Sequence, residues 1–148
     1  IEQFSGLLRY QLYDQSQTVE ISREIAYLQQ FINLQKLRSS GKLQLNCTFD
    51  EALQQQQIFP LLLLPLVENA FKYAGGRWTI DIDARLEAGQ LHFIVSNAVP
   101  PMIPDRPASG IGLENVKRRL NLLYPGRASL DVKKENDTFT ATVILPLL

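Results

Sequence analysis

The chain has 148 residues, of which 45% are hydrophobic and 20% charged, the composition of an ordinary soluble globular domain. Its fifteen basic residues balance fifteen acidic ones, which argues against a broad nucleic-acid or anionic-membrane surface because both depend on an excess of Lys and Arg. One cysteine and one histidine are too few for an intrachain disulfide or a zinc site. We therefore expect a single domain, in a reducing compartment, that folds without a disulfide or a metal.

No segment has the length and composition of a membrane span or a signal peptide. The longest apolar run, Ile58–Val67, has ten residues and contains two prolines, whereas a spanning helix needs about 20 residues. The chain does not begin with Met. We expect it to be a fragment of a longer protein, in which any membrane anchor lies outside this sequence.

Two helices are predicted at the start of the chain. Apolar residues at helical spacing over residues 4–13 indicate the end of a first helix. A second helix is predicted from Ile21 to Arg38, and Gly41 follows it as a stop signal.

Next comes a strand, because apolar and polar residues alternate over 43–49. We expect Cys47, in the middle of this strand, to be a small buried residue. Asp50 is expected to cap a short turn after the strand.

The middle of the chain predicts a helix followed by a hairpin. The helix is expected to begin near Pro60, where a missing amide costs little, and to run to about Ala74. Alternation over 78–82 and over 91–95 predicts two strands, joined by a turn at Glu87–Gln90.

In the last third, a loop with four prolines, Ala98–Ser109, precedes a helix that opens at Gly110-Ile111-Gly112. Two strands are predicted at about 128–134 and 139–145. The order of elements predicts an α+β two-layer sandwich, with a mixed, mostly antiparallel sheet that carries its helices on one face.

The segment Pro65–Tyr73 contains the first candidate site. On a helix, Asn69, Lys72 and Tyr73 lie three and four residues apart and share a face. An amide oxygen beside an ammonium group suits a magnesium-bound polyphosphate. The alternative is that Glu68 and Lys72, at positions i and i+4, form a surface ion pair.

The second candidate site is Gly110-Ile-Gly-Leu-Glu-Asn-Val116. Glycines at the start of a helix let the backbone approach a ligand, and the free amides favour phosphate. The alternative is an ordinary helix that begins after glycines. His92 lies in an alternating strand and is interpreted as an ordinary strand residue.

Together and in this order, the two motifs resemble a known family. Pro65-Leu-Val-Glu-Asn-Ala-Phe-Lys-Tyr73 resembles an N-box, and Gly110-Ile-Gly-Leu-Glu-Asn-Val-Lys-Arg-Arg-Leu120 resembles a G-box, both as in the LytS-type sensor histidine kinases of the GHKL ATPase superfamily. Leu8-Arg9-Tyr10 and the segment 24–38 resemble the part of that family just before its ATPase domain.

The resemblance implies a Bergerat-type fold that binds Mg-ATP between the N-box helix and a lid. It implies that residues 1–16 are the C-terminal end of a dimerisation helix and that residues 17–148 are the ATP-binding catalytic domain. It assigns Asn69 to magnesium and catalysis, and Glu68 to the activating base. The implied nucleotide contacts are Asn69, Lys72, Tyr73, Ser96, Asn97, Gly110, Gly112, Leu113 and Asn115, with Arg119 as a further phosphate contact.

Three features depart from the family pattern, and one of them is that Asp137-Thr138 stands where the family usually has a Gly-Thr pair before its last strand. The aspartate of the family's Asp-x-Gly-x-Gly box, which reads the adenine amino group, falls on Ser96 in the stretch Ser96–Pro100. The family's phosphoacceptor, a His-Phe pair, should precede Leu8 and is absent from this sequence.

The function implied is that of the ATP-binding domain of a sensor histidine kinase. Its partners would be a response regulator and the dimerisation helix of a homodimeric kinase, with no nucleic acid. Its place would be the cytoplasmic side of an inner-membrane protein. The alternative is a degenerate, non-catalytic module that acts through protein contacts. A stand-alone ATP-hydrolysing enzyme is disfavoured, because Pro65 stands where an acid should precede Asn69.

Overall fold

The computed structural model describes residues 17–39, 41–74, 78–99 and 111–148. Within these ranges the elements in chain order are β1 (Val19–Glu20), α1 (Ile21–Arg38), β2 (Gln44–Phe49), β3 (Gln57–Ile58), α2 (Leu64–Tyr73), β4 (Thr79–Glu87), β5 (Gln90–Ala98), α3 (Ile111–Leu123), β6 (Ser129–Glu135) and β7 (Thr138–Pro146). The predicted helix over 4–13 lies outside the described residues.

Five strands form the main sheet, in the order β2-β4-β5-β7-β6. The edge strand β2 runs parallel to β4, and the other three pairs are antiparallel. The short strands β1 and β3 pair with each other in a separate antiparallel ribbon. This confirms the predicted mixed, mostly antiparallel sheet.

The helices of the described ranges lie on one face of this sheet, as predicted. α2 contacts β4 and β5, α3 contacts β6, and α2 also contacts both α1 and α3. Alternate residues of the central strands point into this layer and are buried, because side chains alternate between the two faces of a strand. They are Ile80, Ile82, Ala84, Leu91, Phe93, Val95, Phe139, Ala141, Val143 and Leu145.

Each of the two hairpins in the sheet has a tight turn between its strands. At the β4–β5 turn, Ala88 and Gly89 have φ angles of 52° and 76°, the combination that matches the twist of paired strands in a two-residue hairpin. At the β6–β7 turn, Asn136 has a φ of 55°, a conformation that Asn tolerates better than most residues. The predicted turn at Glu87–Gln90 is confirmed.

Helix α2 begins later than the sequence indicated. It was expected to begin near Pro60 but begins at Leu64, with Pro65 in its first turn. The reason is local: Leu61 has a φ of 62°, a left-handed conformation that a right-handed helix cannot include. The residues before α2 therefore form turns.

Cys47 is exposed, so the expectation that it is buried was wrong. Its strand, β2, lies at the edge of the sheet, where α1 does not close over it. An open groove of about 350 Å³ remains between them, lined by Gln29, Ile32, Asn33, Lys36, Leu45, Cys47 and Phe49.

In the parts of the chain that the structure describes, no helix is both long and apolar enough to cross a membrane.

The packing of α3 predicts that replacing two of its leucines has very different effects on the free energy of unfolding. Leu120 is 1% exposed in the core, whereas Leu122 is 73% exposed. We expect Leu120→Ala to lower the free energy of unfolding by about 2–5 kcal/mol, because it removes buried methyl groups and leaves a cavity. Leu122→Ala should change it by less than about 0.5 kcal/mol. Urea denaturation of both variants measures this, and equal losses would contradict the packing of α3.

Asp50 predicts a pH dependence of stability. One carboxylate oxygen accepts a hydrogen bond from the Ala52 amide at 3.0 Å and the other from the Leu86 amide at 3.0 Å. These bonds lower the pKa of Asp50 in the folded protein. Their contribution is therefore complete above the unfolded pKa of about 3.9 and is lost as the pH falls through the lower folded pKa.

The measurement is chemical denaturation of wild type and Asp50→Asn at pH 7 and at pH 3. Wild type should be the more stable at pH 7, and the difference should shrink at pH 3. Titrations of the other carboxylates cancel between the two proteins. A difference that does not depend on pH would show that the carboxylate charge of Asp50 has no role.

Candidate functional site

The first motif lies on α2, which has one buried and one accessible side. Leu64, Leu66, Val67 and Ala70 are buried against the sheet and the other helices. On the accessible side, Asn69 and Tyr73 are half-buried and Lys72 is exposed. The helix therefore presents an amide oxygen and an ammonium group to solvent, as the spacing predicted.

Lys72 is held by an aromatic ring and not by a carboxylate. Its Nζ lies 5.2 Å from the centroid of the Tyr73 ring, a distance at which the ring face attracts a cation. Within the described residues no ion pair joins Glu68 to Lys72, so the alternative of a surface pair is not supported. Partial burial raises the pKa of the Glu68 carboxyl.

The end of β5 contributes two neighbouring polar residues that point to opposite faces of the sheet. Ser96 pairs with Asp81 and Thr140 in the neighbouring strands, and its Oγ lies 3.0 Å from Thr140 Oγ1 on the face away from the helices. Asn97 has the same orientation as Val95 and is 2% exposed. Its Nδ2 donates to the Ala98 carbonyl oxygen at 3.1 Å.

This alternation corrects the expectation for Ser96. The alignment had placed Ser96 where the family has its adenine-reading aspartate, but the Ser96 hydroxyl lies on the face opposite the N-box helix. Asn97, one residue later, faces the helices. A residue of β5 that contacts a nucleotide beside α2 must lie on the face of the sheet that the helices cover.

The second motif lies at the start of α3. Gly112 and Asn115 are exposed, and a Cβ placed on Gly112 would meet nothing within 4 Å. Leu113 is 2% exposed, so its side chain belongs to the core and not to a ligand surface. Gly110 lies outside the described residues.

Arg119, the further phosphate candidate, has its guanidinium occupied within the protein. Its Nη1 donates to the carbonyl oxygens of Pro60 at 3.1 Å and Leu61 at 3.4 Å. Burial lowers the pKa of Arg119. The residue thus ties α3 to the segment before α2, and does not point to a ligand from the surface.

Topology brings the motifs to one end of the sheet. The chain leaves α2 at Tyr73 and enters β4 at Thr79, and Asn97 pairs with Ile80 in the second position of that strand. Helix α3 packs against α2, and Arg119 in its second half contacts the segment before α2, so the start of α3 points towards the C-terminal end of α2. The C-terminal end of α2, Asn97 and the start of α3 therefore belong to the same end of the fold.

One buried charge was not singled out from the sequence. Glu24 on α1 is fully buried, and its Oε1 accepts a hydrogen bond from the Leu61 amide at 2.7 Å. The available signal was its position, since residue 24 follows Ile21 by three and precedes Leu28 by four, which places it in the apolar stripe of the helix.

The other metal-ligating side chains of the described ranges do not gather into a cluster. Across residues 17–39, 41–74, 78–99 and 111–148, no three His, Cys, Asp or Glu side chains gather where they could hold a metal ion. His92 lies in β5 with its Nε2 3.6 Å from Glu87 Oε2, consistent with an ordinary strand residue.

Comparison with known proteins identifies relatives along the sequence. Residues 1–43 match the family model described as histidine kinase. Over 125 residues, 82% of this chain, it is 35% identical to an uncharacterized sensor-like histidine kinase of Staphylococcus epidermidis. Over 97 residues, 64% of this chain, it is 34% identical to the sensor protein kinase HptS of Staphylococcus aureus. The chain spans 23% and 19% of the lengths of these relatives.

Solved structures share the fold. The catalytic domain of histidine kinase ThkA, in a nucleotide-free form, superposes with a TM-score of 0.65 at 15% identity, over 88% of this chain and 96% of that one. The histidine kinase domain of a blue-light activated kinase from Erythrobacter litoralis gives 0.60 at 21% identity, over 82% and 60% of the two chains. At these identities the likeness is one of fold.

Proposed function

Because this chain belongs to the sensor histidine kinases, we propose that it binds Mg-ATP at the end of the sheet where α2, β5 and α3 meet. The observation that carries the proposal is the placement of Asn69 and Lys72 on the accessible face of α2, at the end of the sheet where Asn97 faces the helix layer. Three groups of different chemistry at this end of the fold support the proposal.

Each of these groups suits one part of the ligand. Asn69 offers a hard amide oxygen to magnesium, which prefers oxygen ligands and keeps several waters and phosphate oxygens around it. Lys72 offers a point charge to phosphate, oriented by its contact with Tyr73. Gly112 and Asn115 leave the first turn of α3 open to phosphate. When bound, magnesium neutralises charge on the transferring phosphoryl group.

Asn97 is the residue that we propose to read the base. Because its Nδ2 already donates to the Ala98 carbonyl, its Oδ1 is the atom left to accept a hydrogen bond. The adenine amino group is a donor, whereas guanine has an acceptor at the same place. The orientation of the amide therefore favours adenine.

In the longer protein, residues 1–16 would end a dimerisation helix and residues 17–148 would form the catalytic domain. The γ-phosphoryl group of ATP would pass to a histidine on that helix and then to an aspartate of a response regulator. We assign Glu68 as the base at this step, and its raised pKa, caused by partial burial, supports the assignment because it favours proton acceptance. The domain would act on the cytoplasmic side of an inner-membrane protein, as a homodimer.

A non-catalytic signalling module is the second reading of the sequence. In the sequence it rests on Ser96 and on the proline-rich loop, and the first ground is weaker because the Ser96 hydroxyl lies on the face away from the helix layer. The relatives named above are kinases, so this alternative is not favoured. Failure of the chain to bind Mg-ATP in a calorimetric titration would revive it.

The proposal predicts that Asn69→Ala weakens Mg-ATP binding without loss of the fold, because Asn69 lies on the accessible face of α2. Removing a ligand to a cation costs about 1.5–3 kcal/mol, or tenfold and more in Kd. Calorimetric titration measures the change, with exposed Asn121→Ala on α3 as the control. Equal affinities, or a large fall in Tm for Asn69→Ala, would contradict the assignment.

The two faces of β5 predict different results for adjacent substitutions. Asn97→Ala should weaken ATP binding by about two- to tenfold, the loss of one neutral hydrogen bond of about 0.5–1.5 kcal/mol. Ser96→Ala should leave the affinity unchanged, because its hydroxyl lies on the opposite face. Titration with ATP and GTP tests both, and the loss in Asn97→Ala should be confined to ATP. A loss in Ser96→Ala alone would restore the alignment based on sequence.

A further inference from the structure

The segment just before α2 is held by side chains from α1, from α3 and from the residue that follows α3. Leu61 donates its amide to Glu24 Oε1 of α1 at 2.7 Å. Arg119 of α3 donates to the Pro60 and Leu61 carbonyl oxygens at 3.1 and 3.4 Å. The Phe59 amide donates to the Tyr124 hydroxyl at 3.3 Å. Three consecutive residues are therefore fixed by groups far away in sequence.

Glu24 is the unusual member of this cluster, because it is a fully buried carboxylate. A buried charge is retained only where it is paired and hydrogen-bonded. Burial lowers the pKa of Arg119, and the nearby charge of Glu24 raises it. Their shared contact is Leu61, whose φ of 62° is strained for a residue with a branched side chain.

The position of Leu61 determines where α2 begins. α2 starts three residues later, at Leu64, and is a helix of ten residues that carries Asn69 and Lys72. A change at Leu61 therefore displaces or tilts the whole accessible face of α2. The other end of the cluster, Arg119, lies on the helix that carries Gly112.

We propose that Glu24 is a positioning residue for nucleotide binding: its hydrogen bond to the Leu61 amide holds α2 at the place where Asn69 and Lys72 can meet Mg-ATP. It acts through the backbone of Leu61 and touches no ligand itself. The proposal rests on the function proposed above and adds to it a residue outside both nucleotide motifs.

Two substitutions of Glu24 distinguish a hydrogen bond that positions α2 from a simple charge pairing with Arg119. Glu24→Leu and Glu24→Gln both remove the charge that faces Arg119, but only Gln keeps an oxygen that can accept from the Leu61 amide. We expect Glu24→Leu to weaken Mg-ATP binding by roughly three- to thirtyfold, the range for residues that influence a site without contacting the ligand. Glu24→Gln should restore Kd to within about twofold of wild type.

The titrations are made well below each variant's Tm, so that all proteins are folded. Glu20→Gln is the matched control, because Glu20 is exposed next to the start of α1, and its Kd should not change. Equal weakening in Glu24→Leu and Glu24→Gln would overturn the proposal, because charge pairing alone would then explain the effect. Unchanged Kd in both would also overturn it.

A second measurement needs no nucleotide and keeps the proposal testable if Mg-ATP does not bind. Spin labels at Lys72→Cys on α2 and Lys117→Cys on α3, in a Cys47→Ser background, report the distance between the two helices. Glu24→Leu should shift or broaden the distance distribution, and Glu24→Gln should not. An identical distribution in all three proteins would refute positioning. Absence of Mg-ATP binding by wild type would refute only the proposed function.

Discussion

The pairing of β5 with β4 on one side and β7 on the other fixes which of its side chains face the helices. A shift of one residue in this register would reverse every side chain in the strand. With Leu91, Phe93 and Val95 buried against the helix layer, Asn97 must point there too and Ser96 must point away. The proposed nucleotide site depends on this alternation, since β5 is the strand against which α2 packs.

Most of the fold could be predicted from the sequence. Apolar periodicity gave the helix over 21–38 with the bounds that the structure has, and alternation with turn residues gave both hairpins. These patterns can be recognised in the sequence because they involve only residues that are close together along the chain. The start of α2 was missed because Pro60 and Pro65 are both compatible with a first helical turn. The left-handed φ of Leu61, which lies between them, excludes the earlier start, and the Leu61 amide is bound by Glu24, which is distant in sequence.

The candidate site was predicted only in part, because the sequence does not show which face of the sheet each residue occupies. Residue types and spacing identified the accessible face of α2, with Asn69 and Lys72 on it, and the open start of α3. They did not separate Ser96 from Asn97, because both are small and polar, and only the period of the strand distinguishes them. Cys47 was wrongly expected to be buried because alternation shows which residues share a face, but not whether another layer covers that face at a sheet edge.

The paired strands of the sheet differ in how many residues separate them along the chain. β4 and β5, like β6 and β7, are joined by turns of two residues, whereas β2 meets β4 and β5 meets β7 only after long excursions. Closing a longer loop costs more entropy and is slower. α2 lies within the first excursion and α3 within the second. We therefore expect the two hairpins to form early in folding, and the helices that carry the proposed site to come together in the late step that joins the hairpins.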